Sequence, residues 1–481
     1  MRVRRLATSL LLAAVAAVPA AAHAAPPTFA HSFVVRKGMR LYVAGKPFRF
    51  GGANIEWLGL SGYGPADPGG TRYASRYEIE DALATAEELG ANVVRSQTMG
   101  DSVGCGRCIE PTRGAFNARA FAEIDYALAS ARAHGIKIIP TIVGDDARAG
   151  GSGCVYLRWR AIDVPNCSLI NMEPFWSDPR VLADVEQHIR AVLDHVNVYT
   201  HVAYKNDPTI LGWDLLNGGG SPTAWTRKVV PFVRSIDRRH LILSGAANAA
   251  LPGVGACVAF VYPHWQQSLA FRARELAACR AARKPFLAYE YGWDRTNYAT
   301  RADFARLLTS LQRNAQIAGD AFWALQAHRD GHGWMPIPAD TADPDTALHG
   351  ESGEWWALYY PGIPTLVNTA ADMRARAQLI RAHNFRMRGL PVPPHMAPPA
   401  PRITNATTAR IYWRGAAGAA TYSVQRAARR GRPWTTPCRR CVTDRSDGYD
   451  PAGRSGWYRV IAYNLDGRPS RPSAAVQAKV G

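Results

Sequence analysis

Several familiar catalytic signatures are missing from this chain of 481 residues. It has no G-x-x-x-x-G-K-[ST] phosphate loop, and no G-x-G-x-x-G turn with an acidic partner about 20 residues later. It also has no G-x-S-x-G nucleophile elbow and no H-E-x-x-H zinc helix. These absences argue against nucleotide binding, serine-triad acyl transfer and zincin-type proteolysis.

A long apolar run is also absent after the first residues. The chain begins M-R-V-R-R, continues with an apolar stretch from Leu6 to Ala22, and offers Ala22-His23-Ala24 as a small-x-small cleavage site. This pattern predicts a secretory signal peptide over residues 1–24, because the apolar stretch is too short and too alanine-rich for a membrane span. We therefore expect a secreted or periplasmic protein without a transmembrane segment.

The charge is strongly positive, yet no run of five or more basic residues occurs. Lys and Arg number 57 against 38 Asp and Glu, which gives a formal net charge of +19. Because the basic residues are spread over the whole chain and an exported protein rarely meets DNA, we predict no nucleic-acid partner. Adhesion to an acidic envelope or a polyanionic matrix is an alternative explanation for the positive charge.

Eight cysteines fall into pairs that are close in sequence, and disulfides are their expected state in an exported chain. One alternative is a zinc ion held jointly by C-G-R-C and C-R-R-C, although these motifs lie more than 300 residues apart. A redox-active C-x-x-C is another, although neither motif lies in a thioredoxin-like unit. We predict no metal and no cofactor. The predicted pairs are Cys105 with Cys108, Cys154 with Cys167, Cys257 with Cys279, and Cys438 with Cys441.

Strand and helix patterns alternate along most of the chain. The candidate strands are Phe48–Asn54, Asn92–Gln97, Ile136–Val143, Ile210–Leu216, Leu241–Ser244, Val258–Tyr262, Phe286–Glu290 and Asp320–Leu325. The helical patterns between them include Ala118–Ala133, Val181–Val198, Thr226–Ile236, Leu269–Ala282 and Arg301–Ala318. Eight strands alternating with helices predict an α/β fold, a (β/α)₈ TIM barrel over residues 30–389, capped at its bottom by a hairpin over Phe33–Phe50.

The tail of the chain differs in composition. L-P-V-P-P-H-M-A-P-P-A-P over residues 390–401 predicts a semi-rigid proline-rich linker. Residues 402–481 then contain short alternating strands such as Arg410–Trp413 and Gly456–Asn464. This pattern resembles a fibronectin type III domain, which implies a small all-β sandwich with Trp413 and Tyr458 in its core.

The stretch from Thr209 to Ser221, T-I-L-G-W-D-L-L-N-G-G-G-S, reads as a buried strand that ends at Asn217 and three glycines. In parallel α/β folds the carboxyl ends of the strands carry the chemistry. With F-W-S-D-P-R from Phe175 and H-V-A-Y-K-N-D-P before Thr209, it resembles glycoside hydrolase family 5, endo-β-1,4-mannanase branch, whose fourth strand typically ends W-E-L-x-N-E-P-R. The resemblance implies a retaining hydrolase of β-mannan or a related β-1,4-linked polysaccharide or oligosaccharide.

The resemblance also implies a set of sugar-site residues. Glu290, in K-P-F-L-A-Y-E-Y-G-W at the end of the seventh strand, matches the nucleophile, with a surface Glu as the alternative. A cationic neighbour would keep this carboxylate ionised. Phe260 stands where the family has a His. The other matching residues are Arg95 as hydrogen-bond donor to the nucleophile, Asn217 for the sugar 2-hydroxyl, Tyr262 beside the nucleophile and Trp323 as the aromatic platform.

The acid/base Glu of that family is replaced here by Gly218, with Gly219 and Gly220 in place of Pro and Arg. Glycine cannot transfer a proton, and general acid/base assistance is typically worth about 10²–10⁴-fold in rate. A phosphate-cradling glycine turn is an alternative, although the motifs that accompany one are absent. The carboxylates that could substitute are Asp214, Asp101, Asp145 and Asp146, each more simply explained as a strand or loop residue.

Two functions therefore remain open. The first is a secreted glycosidase with Glu290 as nucleophile and an unidentified proton donor. The second is a catalytically inactive carbohydrate-binding protein on the same scaffold. An envelope adhesion protein is a third and more distant alternative. The sequence gives no indication of oligomeric state.

Overall fold

The computed structural model describes residues 27–61, 71–144, 153–167, 171–262, 268–292, 300–335, 357–364, 368–430, 433–444 and 448–480. The predicted signal peptide, residues 1–24, lies outside them. Within these ranges, no helix is both long and apolar enough to cross a membrane.

A small antiparallel sheet precedes the barrel. Helix α1 (Pro27–Ala30) is followed by β1 (Val34–Lys37), β2 (Arg40–Val43) and β3 (Lys46–Phe48). The turns between the strands place Gly38 and Gly45 at positive φ, which glycine adopts without strain. Val34 and Leu41 pack into the apolar cluster inside the barrel. The sheet therefore closes the bottom of the barrel, as the hairpin pattern predicts.

Eight parallel strands of the described chain form the barrel. They are β4 (Phe50–Asn54), β5 (Val93–Ser96), β6 (Lys137–Pro140), β7 (Gly212–Asp214), β8 (Leu241–Ser244), β9 (Ala256–Phe260), β10 (Phe286–Tyr291) and β11 (Ile317–Phe322). Strand β11 pairs with β4. The backbone N–H of Leu211 donates to the Ile138 carbonyl at 2.7 Å and closes the ring between β6 and β7. The predicted TIM barrel is confirmed.

Helices surround the barrel. They are α2 (Arg76–Glu88), α3 (Ala118–Ala133), α4 (Gly153–Trp159), α5 (Glu173–Ser177), α6 (Pro179–Asp194), α7 (Thr223–Ile236), α8 (Ala273–Ala281), α9 (Arg301–Arg313) and α10 (Ala370–Met387). The apolar stripe of α6, which includes Val181, Val185 and Ile189, is fully buried as its periodicity predicts. Asp178 caps this helix by accepting a hydrogen bond from the Arg180 N–H.

The predicted boundaries differ from the observed ones for local reasons. Helix α6 ends at Asp194 rather than Val198, because His195 leaves the helical conformation and the Asn197 side chain bonds the backbone of the following turn. Several strands are shorter than their apolar runs. Leu215 and Leu216, for example, are buried beyond the end of β7. Burial therefore continues past the hydrogen-bonded ladder.

Four disulfides are present. They join Cys105 to Cys108, Cys154 to Cys167, Cys257 to Cys279 and Cys438 to Cys441. The zinc alternative is wrong, because both C-x-x-C motifs form internal disulfides and their thiolates are not available as ligands. Within the described ranges, no cluster of three or more His, Cys, Asp or Glu side chains could hold a metal ion.

The tail forms two antiparallel sheets. One contains β12 (Arg402–Ala406) and β13 (Ile411–Arg414), and the other contains β14 (Thr421–Ala427), β15 (Thr435–Thr443), β16 (Gly456–Tyr463) and β17 (Val476–Ala478). Trp413 and Tyr458 lie in their shared apolar core. This is consistent with a following all-β domain, and its assignment to the fibronectin type III family stays a prediction.

The linker over residues 390–401 has no regular secondary structure, but it is held on both sides. The backbone N–H of Met396 donates to the Glu88 carboxylate of α2 at 2.9 Å. The backbone N–H of His395 donates to Asp466 of the tail at 2.9 Å, and the Asn464 amide donates to the carbonyls of both linker residues. The linker therefore fastens the tail to the barrel.

His328 lies at the centre of the barrel–tail junction. Its Nδ1 lies 2.9 Å from the Asp81 carboxylate of α2, and its Nε2 lies 3.1 Å from the Asp444 carboxylate of the tail. The indole of Trp334 stacks on the imidazole, and Trp334 donates to the Asp444 carbonyl. Burial alone would lower the pKa of His328, but the two carboxylates raise it to about 10. The imidazolium therefore bridges barrel and tail at neutral pH.

We expect His328→Gln to remove a pH-dependent part of the stability. The folded pKa of His328 lies above the unfolded value, so its contribution is complete below about pH 6.5 and is lost as the pH rises through about 10. At pH 6 the variant should lose about 3–5 kcal/mol, because two buried carboxylates lose their cation. Thermal unfolding at pH 6, 8 and 10 measures the difference, which should shrink with rising pH.

His134→Gln is the matched control for this substitution. His134 also lies between two carboxylates, those of Glu80 and Glu87, and its pKa is raised to about 9. Its side chain is 18% exposed and both carboxylates belong to helix α2 of the barrel, so its replacement should cost less. Two results would contradict the charged His328 bridge. One is an equal loss of stability in the two variants, and the other is a His328→Gln loss of stability that is the same at pH 6 and pH 10.

Candidate active site

The predicted site residues converge at the carboxyl ends of the barrel strands. Arg95 lies in β5, Glu290 in β10, and Asn217 follows β7. Tyr262 follows β9, and Trp323 is the first residue after β11. In a TIM barrel this end of the strands carries the active site.

Arg95 is the centre of a buried hydrogen-bond network. Its guanidinium donates to Asp214 Oδ2 from Nε at 3.1 Å and from Nη2 at 3.0 Å, and to Asn54 Oδ1 from Nη1 at 3.1 Å. Nη2 also donates to Asn217 Oδ1. Nη1 donates to Glu290 Oε2 at 3.1 Å. One guanidinium therefore fixes four side chains that lie in or just after three strands, β4, β7 and β10.

The cation is held in its charged form by its surroundings. Burial alone would lower the pKa of Arg95, but Asp214, Tyr289 and Glu290 raise it above its usual value. The guanidinium also lies 4.2 Å above the ring of Tyr289, an added cation–π contact. Asp214 is fully buried beneath it and also accepts a bond from Thr141.

The two carboxylate oxygens of Glu290 have different donors. Oε1 accepts a hydrogen bond from the Tyr262 hydroxyl at 2.9 Å, and Oε2 accepts the bond from Arg95. The side chain is 9% exposed, so the carboxylate is held at the mouth rather than free on the surface. Two fixed donors restrict the rotation of the carboxylate. The surface-Glu alternative is inconsistent with this environment.

Gly218 lies in a tight turn four residues after the end of β7. Its φ is +80° and its ψ is −12°, a conformation that L side chains rarely adopt. Gly219 also has positive φ, and its carbonyl oxygen would be 2.1 Å from a Cβ placed on Gly245. Glycines therefore let two chain segments approach closely here. The position lacks a carboxylate, and its backbone is also unsuited to a glutamate.

The candidate substitute carboxylates are buried or lie outside the described residues. Asp214 is fully buried beneath Arg95 and belongs to the floor of the site. Asp101 is 1% exposed and acts electrostatically on Tyr156 of α4. Asp145 and Asp146 lie outside the described residues. None of the described candidates therefore matches a proton donor opposite Glu290.

Two further residues belong to the network, although the sequence did not single them out. Asn54 ends β4, accepts from Arg95 and donates to the Tyr289 carbonyl at 3.0 Å. Tyr289 supplies its ring face to Arg95. The signal for Asn54 was its position as the last residue of the first strand, a polar side chain after F-R-F-G-G-A. The signal for Tyr289 was weaker, because it lies inside an apolar run.

Phe260 and Trp323 complete the surroundings. Phe260, which replaces the His of the resembled family, packs 5.8 Å from the ring of Tyr289 and 6.0 Å from the Arg95 guanidinium. The backbone N–H of Trp323 donates to the Tyr291 carbonyl at 2.6 Å, which ties the start of the β11 loop to β10. Trp323 and Glu290 have the same exposure, 7% of the surface of the whole residue in each case.

A family model described as GH family 5 beta-mannosidase-like matches residues 31–278, which is more than half of the chain. The chain belongs to glycoside hydrolase family 5. This glycoside hydrolase family 5 chain is 28% identical over 361 residues to the mannan endo-1,4-beta-mannosidase 1 of Oryza sativa subsp. japonica, covering 62% of this chain and 81% of that protein. It is 32% identical over 221 residues to the mannan endo-1,4-beta-mannosidase 3 of Arabidopsis thaliana, covering 44% of this chain and 50% of that protein.

Solved structures agree with the barrel. The endo-1,4-beta-mannanase from Rhizomucor miehei superimposes with a TM-score of 0.56 at 20% identity, covering 74% of this chain and 99% of that chain. The endo-beta-1,4-mannanase from Thermotoga petrophila gives a TM-score of 0.56 at 17% identity, covering 91% of this chain and 99% of that chain. At these identities the likeness shows the fold of this glycoside hydrolase family 5 chain and no more.

We expect Gly218→Ala to destabilise the protein by about 1–2 kcal/mol, because alanine must then adopt a positive φ. Gly220→Ala is the matched control in the same turn. Gly220 has a φ of −82°, and a Cβ there meets nothing within 4 Å. Urea unfolding of both variants measures the difference. Equal stabilities would mean that the turn relaxes and that position 218 does not require glycine.

Proposed function

We propose that this protein is an exported, mannan-directed member of glycoside hydrolase family 5 in which Glu290 is the catalytic nucleophile and position 218 supplies no proton donor. The observation that carries the proposal is the Glu290 carboxylate, held at the barrel mouth by Tyr262 and Arg95. Export rests on the predicted signal peptide, residues 1–24.

The roles of the network follow from its geometry. Glu290 would attack the anomeric carbon, while Arg95 and Tyr262 keep the carboxylate ionised and oriented. Asn217, positioned by Arg95, would hold the sugar 2-hydroxyl, and Trp323 would lie against the C–H face of the sugar. The substrate class, a β-1,4-linked mannan, is supported by the names of the curated relatives.

The lost proton donor limits which bonds can break. In a retaining mechanism the acid first protonates the leaving oxygen and later, as a base, activates water. A sugar leaving group needs that proton, whereas an electron-poor phenol leaves without it. We therefore expect mannan turnover to be about 10²–10⁴-fold slower than in an enzyme that has a proton donor. Attack of Glu290 on an activated aryl glycoside should be unimpaired.

A carbohydrate-binding protein without turnover is the second candidate. The positive φ of Gly218 favours it, since the turn as well as the side chain differs from one that presents a glutamate. The nucleophile network would then serve only to bind sugar.

The test compares β-mannan with dinitrophenyl β-mannobioside. The proposal expects a burst of dinitrophenol from the aryl glycoside, slow release of reducing ends from mannan, and loss of both in Glu290→Gln. Azide should speed turnover of the aryl glycoside, because an anion needs no base to attack the glycosyl intermediate. Mass spectrometry should find one glycosyl group on Glu290.

Binding of manno-oligosaccharides without any dinitrophenol burst would favour the second candidate instead. Absence of both binding and burst would exclude mannan as the ligand class. Gly218→Glu puts a carboxylate back at position 218. We expect it to restore little mannan turnover, since the glutamate must then adopt a positive φ.

A further inference from the structure

The excess of positive charge is concentrated in the tail. Residues 402–481 contain 15 Lys and Arg against 4 Asp and no Glu, a formal net charge of +11 out of +19 for the whole chain. Basic residues occur throughout the sequence, but these 80 residues carry more than half of their excess over acidic ones. Two of the four Asp are already paired, Asp444 with His328 and Asp466 with His395. Only two other carboxylate side chains remain in the tail to balance its arginines.

One face of the four-stranded tail sheet points away from the apolar core. Strand β16 alternates between buried and partly exposed residues along its whole length. Its buried side chains belong to the core that the two tail sheets share. Side chains alternate between the two faces of a strand, so the partly exposed ones share the outer face and extend over about 20 Å. They are Trp457, Arg459, Ile461 and Tyr463.

Three pairs of an arginine and an aromatic residue follow one another along this outer face. In each pair the guanidinium lies over the ring at the distance of a cation–π contact. Such a contact uses the flat face of the guanidinium, whereas its N–H donors point outward in its plane. We call these six residues the arginine–aromatic row. They are Arg430 over Trp457 at 5.4 Å, Arg459 over Trp434 at 4.3 Å, and Arg440 over Tyr463 at 4.3 Å.

Hydrogen bonds orient two of these arginines. Arg459 Nε donates to Gln425 Oε1 on the neighbouring strand β14 at 2.6 Å. Arg440 Nη2 donates to the Gly467 carbonyl at 3.0 Å, and the Arg440 backbone N–H donates to Ser423 Oγ at 2.8 Å. The acceptors are amide, carbonyl and hydroxyl oxygens. These bonds therefore position the guanidinium groups without neutralising their charge.

The C-R-R-C motif gives Arg440 its place on the outer face. Between Cys438 and Val442, strand β15 advances by four residues where β14 advances by two. The additional residues form a bulge, which the disulfide between the two cysteines of the motif closes. Both Arg439 and Arg440 are exposed on it, and β15 is the edge strand of its sheet. The disulfide therefore fixes a loop that presents two arginines.

The tail docks on the barrel through other residues. The contacts with the barrel described above come from Thr404, Arg414, Gly415 and Asp444. None of these four residues belongs to the arginine–aromatic row. The row is therefore open to a ligand while the tail stays docked.

A polysaccharide that carries carboxylates matches both parts of the row. The fork of a guanidinium binds a carboxylate through two parallel hydrogen bonds. The flat face of an aromatic ring packs against the C–H face of a sugar. A neutral polysaccharide would use the rings and leave the charge unmatched, whereas double-stranded DNA would use the charge and leave the rings unmatched.

We propose that the arginine–aromatic row is a binding surface for a polyuronate, a polysaccharide whose sugar units carry carboxylates. The tail would then hold the protein on an acidic polymer while the barrel mouth remains open. This inference goes beyond the proposed function and does not depend on it, because no residue of the row belongs to the network around Glu290.

The test measures binding of the full chain to polygalacturonate, with the methyl-esterified polymer as the neutral control. Wild type should bind the acidic polymer about tenfold or more tightly than the ester. The binding should weaken as the salt concentration rises from about 50 to about 300 mM, because exposed charges are screened. Equal binding of acid and ester would overturn the inference. Mannotriose should not compete, and competition would place the acidic polymer at the barrel mouth instead.

A charge-matched pair of variants separates the row from the general charge of the tail. Arg440→Gln combined with Arg459→Gln should weaken binding of polygalacturonate about tenfold or more, because two carboxylate-binding groups are lost. Arg402→Gln combined with Arg410→Gln removes the same charge at the other tail sheet and should weaken it less than about threefold, because distant charges are screened. Equal losses would assign the binding to net charge and overturn the inference. Arg440→Gln alone serves if thermal unfolding shows that the double variant is not folded.

Trp434→Ala tests the sugar-binding part of the row without changing its charge. It should weaken binding of polygalacturonate about fivefold and leave binding of double-stranded DNA unchanged. Two results together would overturn the inference: DNA or phosphatidylglycerol vesicles that bind as tightly as polygalacturonate, and no effect of Trp434→Ala. Mannan turnover should be the same in all row variants as in wild type. A wild type that neither binds nor turns over mannan would overturn the proposed function and leave this inference standing.

Discussion

The buried guanidinium of Arg95 is the interaction on which the rest of the site depends. It contacts Asn54, Asp214, Asn217 and Glu290, which lie in or just after three strands that are far apart in sequence. A buried cation needs paired anions, and a buried anion needs a cation, so removing either side leaves uncompensated charge. The same network that orients Glu290 therefore also stabilises the upper part of the barrel, and its chemistry and its stability are coupled.

At position 218 glycine provides no carboxylate, and the backbone conformation is unfavourable for a glutamate. The turn at residues 217–219 has two glycines at positive φ, and it brings Gly219 against Gly245 and Val258. A turn of this shape is favourable for glycine and unfavourable for glutamate. The Glu290 side of the site is held by several mutually supporting hydrogen bonds, whereas the turn at residues 217–219 depends on glycine backbone conformations.

The fold could be predicted from the sequence because burial follows the alternation of strands and helices. The residues around Glu290 could be named because the motifs that hold them resemble those of glycoside hydrolase family 5. Helix α2 was missed, because Glu78, Asp81 and Glu88 occupy buried positions and dilute its apolar pattern. Their partners, such as His328 and Arg381, lie over 200 residues away.

The junction around His328 bears on how the two parts of this chain can be inherited. The segment after β11 starts at Trp323 and contacts the tail, where Asp330 pairs with Arg414 and the Gly331 carbonyl accepts from Thr404. Gly415 has no side chain, and a Cβ there would overlap the His328 ring. The tail is therefore not a portable module. A descendant that lost the tail would also need a changed sequence in the segment after β11. A descendant that gained a different tail would need a segment there that packs against it.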